Sequence, residues 1–239
     1  MRFRKKPPLL VGLLFSAHPV VALATSGAVT LAAALFGGRS WEELLLVAGT
    51  VLIGQLTVGW VNDITDRKRD KQAGRDDKPI ALGYVAAGTA AWTTAYATCA
   101  LVPLAMTNGT EAGISYLLAV LVGWIGTRIL RRSVLSWLPI AVSYALLPAF
   151  LSYGGSGGGS QGDPPTIALT VAAGFLGVGV HFLLALPDLV GDNTTGVRHL
   201  PLRVAKRTGA TRLLWLTGAY LVVAVTAVIW VGATVGLRQ

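Results

Sequence analysis

Residues 44–60 read LLLVAGTVLIGQLTVGW, a run without a single charge, and residues 62–70 then read NDITDRKRD, almost wholly polar. Apolar runs of this kind recur along the chain. Sliding hydropathy predicts about seven helical spans, at 9–36, 42–61, 84–106, 112–131, 134–153, 166–187 and 212–235. Runs near 20 residues match the length a helix needs to cross a hydrocarbon core of about 30 Å. The first span carries His18-Pro19 near its start, which predicts a kink there. No signal-peptide pattern is expected, because that run is too long and lacks a small-residue cleavage site. The fold class is therefore all-α: a polytopic transmembrane bundle.

The polar intervals set an orientation. With the N-terminus inside, the inner segments are 1–8, 62–83, 128–133 and 188–212, and they hold 18 of the 20 Lys and Arg residues. Only Arg39 and Arg238 fall outside. This split predicts a cell-membrane protein with a cytoplasmic N-terminus and an outward C-terminus. It also accounts for the net charge of +9 without nucleic acid as a partner. Composition agrees: 53% of residues are hydrophobic and 13% charged, against about 25% charged in soluble domains. Cys99 is the single cysteine, so no internal disulfide and no cysteine-based zinc site is possible. The Gly/Ser stretch 154–165 divides one transmembrane domain into a front half, 1–153, and a back half, 166–239.

Each half carries one acidic cluster, and both are expected on the inner side. In the first, Asn62, Asp66 and Asp70 are spaced i, i+4, i+8, and Asp63 joins Asp66 and Asp70 at i, i+3, i+7. Continuation of the helix past Trp60 would put these oxygens on roughly one face. In the second, Asp188 and Asp192 are again four apart. Like charges at such spacing repel by a few tenths of a kcal/mol, roughly, so something positive must compensate. Oxygen donors without thiolate or imidazole suit hard cations, Mg²⁺ first. Mg²⁺ is typically shared between carboxylates and substrate phosphates, and interleaved Arg and Lys hold the remaining phosphate oxygens. The pattern reads as two carboxylate banks that clamp a metal-bound diphosphate, and solvated helix ends are the plainer alternative.

These motifs resemble the signatures of the UbiA superfamily of intramembrane prenyltransferases. N-D-x-x-D-x-x-x-D is met by Asn62, Asp63, Asp66 and Asp70. D-x-x-x-D is met by Asp188 and Asp192, followed by Gly196, Arg198 and Pro201. The segment Lys78-Pro79-Ile80-Ala81-Leu82-Gly83 is similar to the R-P-L-x-x-G turn of the family, and the resemblance runs from about residue 10 to 212. It implies a bundle around a central cavity, open to lipid, with a cytoplasmic cap built from 62–83 and 188–212. Metal ligands would be Asn62, Asp63, Asp66, Asp70, Asp188 and Asp192. Asp66, Asp188 and Asp192 would be catalytic, and Arg67, Lys78, Arg131 and Arg198 would hold the diphosphate. The sequence departs from the family pattern twice. It carries about seven spans rather than nine, which leaves closure of the lateral opening to a second copy of the chain. Thr127 and Arg131 stand where many members have a Y-x-x-x-K pair.

The resemblance implies a Mg²⁺-dependent transfer of an isoprenyl group from its diphosphate to an aromatic or similar acceptor. A terpene cyclase of the same family is the alternative. A cation transporter is the third class, but the apolar spans hold no carboxylate near their centres. His181 lies seven residues before Asp188, as a base near the cation or as an interhelical hydrogen-bond partner. Gln55 precedes Asn62 by the same interval. The rings of Trp60, Trp92, Tyr96, Trp124, Trp137 and Tyr144 are available to a carbocation or, equally, to the membrane interface.

Overall fold

A computed structural model describes residues 5–155 and 163–237. Among them every regular element is helical. The elements are α1 (Leu9–Ser16), α2 (Pro19–Gly37), α3 (Trp41–Gln72), α4 (Ala87–Met106), α5 (Thr110–Arg128), α6 (Leu138–Ala145), α7 (Leu147–Ser152), α8 (Ile167–Ala185), α9 (Leu189–Thr194), α10 (Leu200–Thr208) and α11 (Ala210–Thr234). A 3-10 turn, Leu186–Asp188, joins α8 to α9. Most of the 154–165 stretch falls outside the described residues.

Each predicted span coincides with a helix or a broken pair. The run at 9–36 is interrupted at His18, the one non-glycine residue at positive φ among those described (φ 53°). Pro19 follows at the first position of α2, where its missing N–H costs nothing. The run at 134–153 divides into α6 and α7 at Leu146, ahead of Pro148. By length and composition, α2, α3, the 167–194 stretch and α11 are apolar enough to cross a membrane. Stretches 110–126 and 138–152 are shorter apolar helices. Leu10, Val20, Ile167, Phe175, Trp215 and Trp230 are all exposed. A surface this apolar suits a hydrocarbon solvent, and helices satisfy their own backbone groups there.

The long helix α3 organises the bundle. Its start is a capping box: Ser40 Oγ accepts from Glu43 N–H at 3.3 Å, and Glu43 Oε2 accepts from Ser40 N–H at 2.9 Å. Glu42 and Glu43 occupy the first turn and Arg69 and Lys71 the last, each sign matched to the helix dipole. At 1.5 Å per residue its 32 residues extend about 48 Å, well beyond a core of about 30 Å. About 20 residues after Trp41 the hydrocarbon ends, and that is where NDITDRKRD begins. The predicted end at residue 61 is thus a chemical boundary, and the helix itself continues.

Packing at the far end rests on Tyr116 and Phe150, ring centroids 5.0 Å apart, among Val47, Val51 and Leu101. Tyr116 also donates to the Val51 carbonyl at 2.9 Å. At the motif end, Trp60 Nε1 donates to the Leu13 carbonyl at 2.8 Å, tying α3 to α1. Gly59 makes that approach possible: a Cβ there would lie 2.3 Å from the Ala17 carbonyl oxygen. Backbone cannot yield as a side chain can. Gly59→Ala should therefore destabilise the protein by about 1–3 kcal/mol. Gly49→Ala on the same helix meets nothing within 4 Å and should be neutral. Thermal melts of both variants in detergent check this, and equal midpoints would refute the close-approach argument.

Candidate active site

The C-terminal turns of α3, the 73–86 loop, the segment after α5 and the stretch through α9 to His199 surround one end of a cavity of about 280 Å³. Its inner walls are apolar, with Val21, Ala22, Val58, Val120, Ile140 and Leu147 among them. Its mouth carries Asn62, Lys78, Arg131, Asp188, Asp192 and His199. The turn that brings in Lys78 ends at Gly83, whose φ of 74° is a conformation glycine adopts freely.

The acidic clusters meet. Asp63, Asp66 and Asp70 are buried on one face of α3, and Asp192 is buried opposite. Arg69 spans the gap: Nη2 lies 3.3 Å from Asp66 Oδ2 and 3.0 Å from Asp70 Oδ1, and Nη1 lies 3.0 Å from Asp192 Oδ1. Arg131 Nη1 pairs with Asp66 Oδ2 and donates to Asn62 Oδ1 at 3.2 Å. Asp63 Oδ1 accepts from Lys78 Nζ at 2.6 Å and lies 2.7 Å from His18 Nε2. His199 Nε2 lies 2.7 Å from Asp192 Oδ2, and its Nδ1 accepts from the Leu202 N–H. Arg75 pairs with Asp188 and also donates to Asp77 at 2.7 and 2.8 Å.

Several side chains lie elsewhere than the sequence suggested. Arg67 and Arg198 are exposed and do not line the cavity. Arg67 follows Asp66 by one residue and so leaves the helix on another face. The cations facing the carboxylates are Arg69, Arg75, Lys78 and Arg131, with His18 and His199 beside them. The i, i+3 step from Asp66 to Arg69 was a readable signal for one of these. His18 and Arg75 reach their partners across 45 and 113 residues of chain, and no local pattern marks that. His181 lines the cavity 3.1 Å from Ser136 Oγ, a residue of the turn that precedes α6 and not of a helix. Gln55, Tyr116 and Tyr144 line the cavity too, whereas Trp92 and Tyr96 are exposed on α4. The Thr127 side chain lies outside the described residues.

Among the described residues no three His, Cys, Asp or Glu side chains already converge as a ligand group, because a cation stands at each carboxylate. Asp63 Oδ2, however, is buried without a hydrogen-bond partner. Asp66 Oδ2 is also buried, and its ion pairs fall outside hydrogen-bond geometry. Five carboxylates (Asp63, Asp66, Asp70, Asp188, Asp192) face four fixed cations (Lys78, Arg69, Arg131, Arg75). Unspent buried acceptors and surplus negative charge fit a hard cation.

An all-α membrane bundle with an apolar cavity, closed at one end by facing carboxylates and guanidiniums, is the class that fold and site define. The chain belongs to the UbiA prenyltransferase family, whose sequence profile matches residues 10–237. Three solved structures share the fold. A UbiA homologue from Archaeoglobus fulgidus bound to DMAPP and Mg²⁺ has a TM-score of 0.68 at 18% identity, over 90% of this chain and 75% of that one. The homologue bound to GPP and Mg²⁺ gives 0.68 at 18%, over 92% and 77%. A structure of digeranylgeranylglyceryl phosphate synthase gives 0.60 at 17%, over 91% and 75%. At such identities the likeness establishes the fold alone. No curated protein matches the sequence.

Outside the membrane-spanning segments, Arg75 controls a titration. Its hydrogen bonds hold the Asp77 carboxyl below the usual range against the opposing effect of burial, and the Arg75 guanidinium is raised in turn, first by Asp77 and then by Asp188. A depressed carboxylate stabilises the fold above its unfolded pKa, and that contribution disappears as pH falls through the depressed value. Carboxyl-carbon NMR should show Asp77 titrating low in the wild type and rising toward the ordinary range in Arg75→Gln. An unchanged midpoint in the variant would refute the pairing.

Proposed function

We propose that this chain is a Mg²⁺-dependent prenyltransferase that ionises an isoprenyl diphosphate and passes the prenyl group to an aromatic or similarly nucleophilic acceptor. The observation that carries the reading is Arg69, whose one guanidinium touches Asp66, Asp70 and Asp192, the last of which lines an apolar cavity. Two distant motifs therefore lie within reach of one small anionic ligand. The relatives solved with DMAPP or GPP and Mg²⁺ support the same substrate class. The mouth is read as cytoplasmic from the charge split along the sequence, and the chain as one domain in the cell membrane.

On this reading Asn62, Asp63, Asp66, Asp70, Asp188 and Asp192 are the oxygen donors that would hold Mg²⁺. The ion, when bound, offsets the charge that builds on the departing diphosphate. Asp66 and Asp192 fix the two sides of the clamp, and Asp188 closes it from the 3-10 turn. Lys78 and Arg131 line the cavity mouth and orient phosphate oxygens, Arg131 through a planar fork suited to oxygen pairs. Arg69 adds a third cation between the banks. His18 and His199 hold Asp63 and Asp192 in place. The walls of Val58, Val120 and Leu147 take the prenyl chain and exclude water from the cation that remains. The family's cyclase chemistry is the second reading. It is favoured by His181, an imidazole that lines the same cavity as a candidate base toward a prenyl cation.

Purified protein with Mg²⁺ and geranyl or geranylgeranyl diphosphate tests both. Diphosphate release only after an aromatic acceptor is added identifies the transferase, and a cyclic product without acceptor identifies the cyclase. Asp66→Asn and Asp192→Asn should each lower turnover by at least 10²–10³-fold, roughly the effect of losing one preorganised electrostatic group. Chelation of Mg²⁺ should do the same. Full turnover in either variant would overturn the two-bank clamp.

A further inference from the structure

A second cavity, of about 260 Å³, lies away from the acidic mouth, between α8, α10 and α11. Val178 and Phe182 of α8, Val204 of α10, and Leu213, Leu216 and Tyr220 of α11 form its apolar walls. One polar group interrupts them. Thr217 is 4% exposed, lines the cavity, and its Oγ1 has no hydrogen-bond partner. Helical threonines in this protein ordinarily donate to the carbonyl four residues back, as Thr170, Thr208 and Thr234 do. Thr217 keeps its donor unspent. An apolar cavity with one free buried hydroxyl suits a molecule that is mostly hydrocarbon and carries an oxygen acceptor, such as an ester carbonyl.

Charge selects among such molecules. Arg207 stands three residues after Val204 on α10, and Arg212 four residues before Leu216 on α11, so each shares a helix face with a cavity wall. Both are exposed, and neither forms an ion pair with a described residue. Lys206 and Arg203 extend the basic surface of α10, while Pro201 and Leu202 on the same helix are buried. A short helix with a basic exposed side and an apolar buried side belongs at the membrane interface. By the charge split this interface is the cytoplasmic one, where anionic lipid headgroups are found. A soluble anion would leave the apolar walls unmatched, and a neutral lipid would leave two guanidiniums unmatched.

We propose that the α8–α10–α11 cavity is a binding site for an anionic phospholipid, with an acyl chain against Val204, Leu216 and Phe182, an ester oxygen at Thr217 and the phosphate between Arg207 and Arg212. The site is separate from the acidic clamp and does not depend on which reaction the clamp performs. Its occupant touches α10, whose N-cap His199 also holds Asp192.

Native mass spectrometry of the full chain released from nanodiscs of equal phosphatidylglycerol and phosphatidylcholine provides the test. The wild type should retain phosphatidylglycerol selectively. The double variant Arg207→Gln/Arg212→Gln should lose that preference by on the order of 30-fold, while Arg132→Gln, an exposed cation elsewhere on the inner side, should keep it. Leu216→Trp fills the cavity with both arginines intact and should also abolish retention. Gel filtration of each variant confirms that it is folded. Equal retention in the double variant and the wild type would overturn the proposal, as would an equal loss in Arg132→Gln. Displacement of the bound lipid by inorganic phosphate alone would also overturn it, since that would make the site a bare anion site.

Discussion

Carboxylates cannot be buried at a helix end without counter-charge, and most of the architecture at the acidic end of the bundle follows from that constraint. Asp63, Asp66, Asp70 and Asp192 are all nearly inaccessible. An isolated buried carboxylate is far too costly to remain ionised. Each is therefore met by a partner side chain: Lys78 from the 73–86 loop and His18 from the break between α1 and α2 at Asp63, Arg131 from beyond α5 at Asp66, Arg69 of the same helix at Asp66 and Asp70, and Arg69 together with His199 from the cap of α10 at Asp192. The loops are positioned by these pairs as much as by apolar contact. Losing one partner of a buried pair costs about 3–5 kcal/mol, so the same contacts that assemble the site also anchor the cap.

Helix length and bilayer thickness together decide where the carboxylates stand. Because α3 outruns the hydrocarbon by several turns, its motif emerges at the interface while remaining helical, and the spacing of Asp63, Asp66 and Asp70 is kept. A helix that ended with the apolar run would have left these residues on a loop. The break at His18 completes the arrangement. Gly59 lets the Ala17 backbone press against α3, and His18, held at positive φ, then reaches Asp63. Strain at a single residue is tolerated because Trp60, Pro19 and Asp63 all fix the same corner.

The bundle was largely legible in the sequence because hydropathy and the basic loops are strong, additive signals. All seven apolar segments proved helical. The identity of the two acidic clusters was legible as well, since their spacing is local. Which cations face them was not. Arg67 and Arg69 look equivalent among the basic residues, yet helical geometry sends one to solvent and the other among three aspartates. Arg75 and Lys78 are three residues apart in a non-helical segment and serve different banks, Asp188 and Asp63. Pairings that cross 60 or 113 residues of chain depend on tertiary packing, and periodicity holds no information about them.

The cations at the mouth also bear on how such a clamp could work. A guanidinium shared among three carboxylates is held by several moderate contacts rather than one ideal pair. Two of its ion pairs, to Asp66 and to Asp192, lie outside hydrogen-bond geometry. On the prenyltransferase reading, Asp66, Asp70 and Asp192 would hold the divalent ion, and Arg69 and Arg131, already beside these carboxylates, would be available to a diphosphate. Carboxylates suit a hard divalent cation, and a planar guanidinium fork suits phosphate oxygens, so such an exchange would match donor to acceptor on both sides. A site that must hold four buried carboxylates and the partly exposed Asp188 before its ligand arrives, and a metal diphosphate afterward, needs cations that can change partners over a few ångströms, and long, multiply paired arginines meet that requirement.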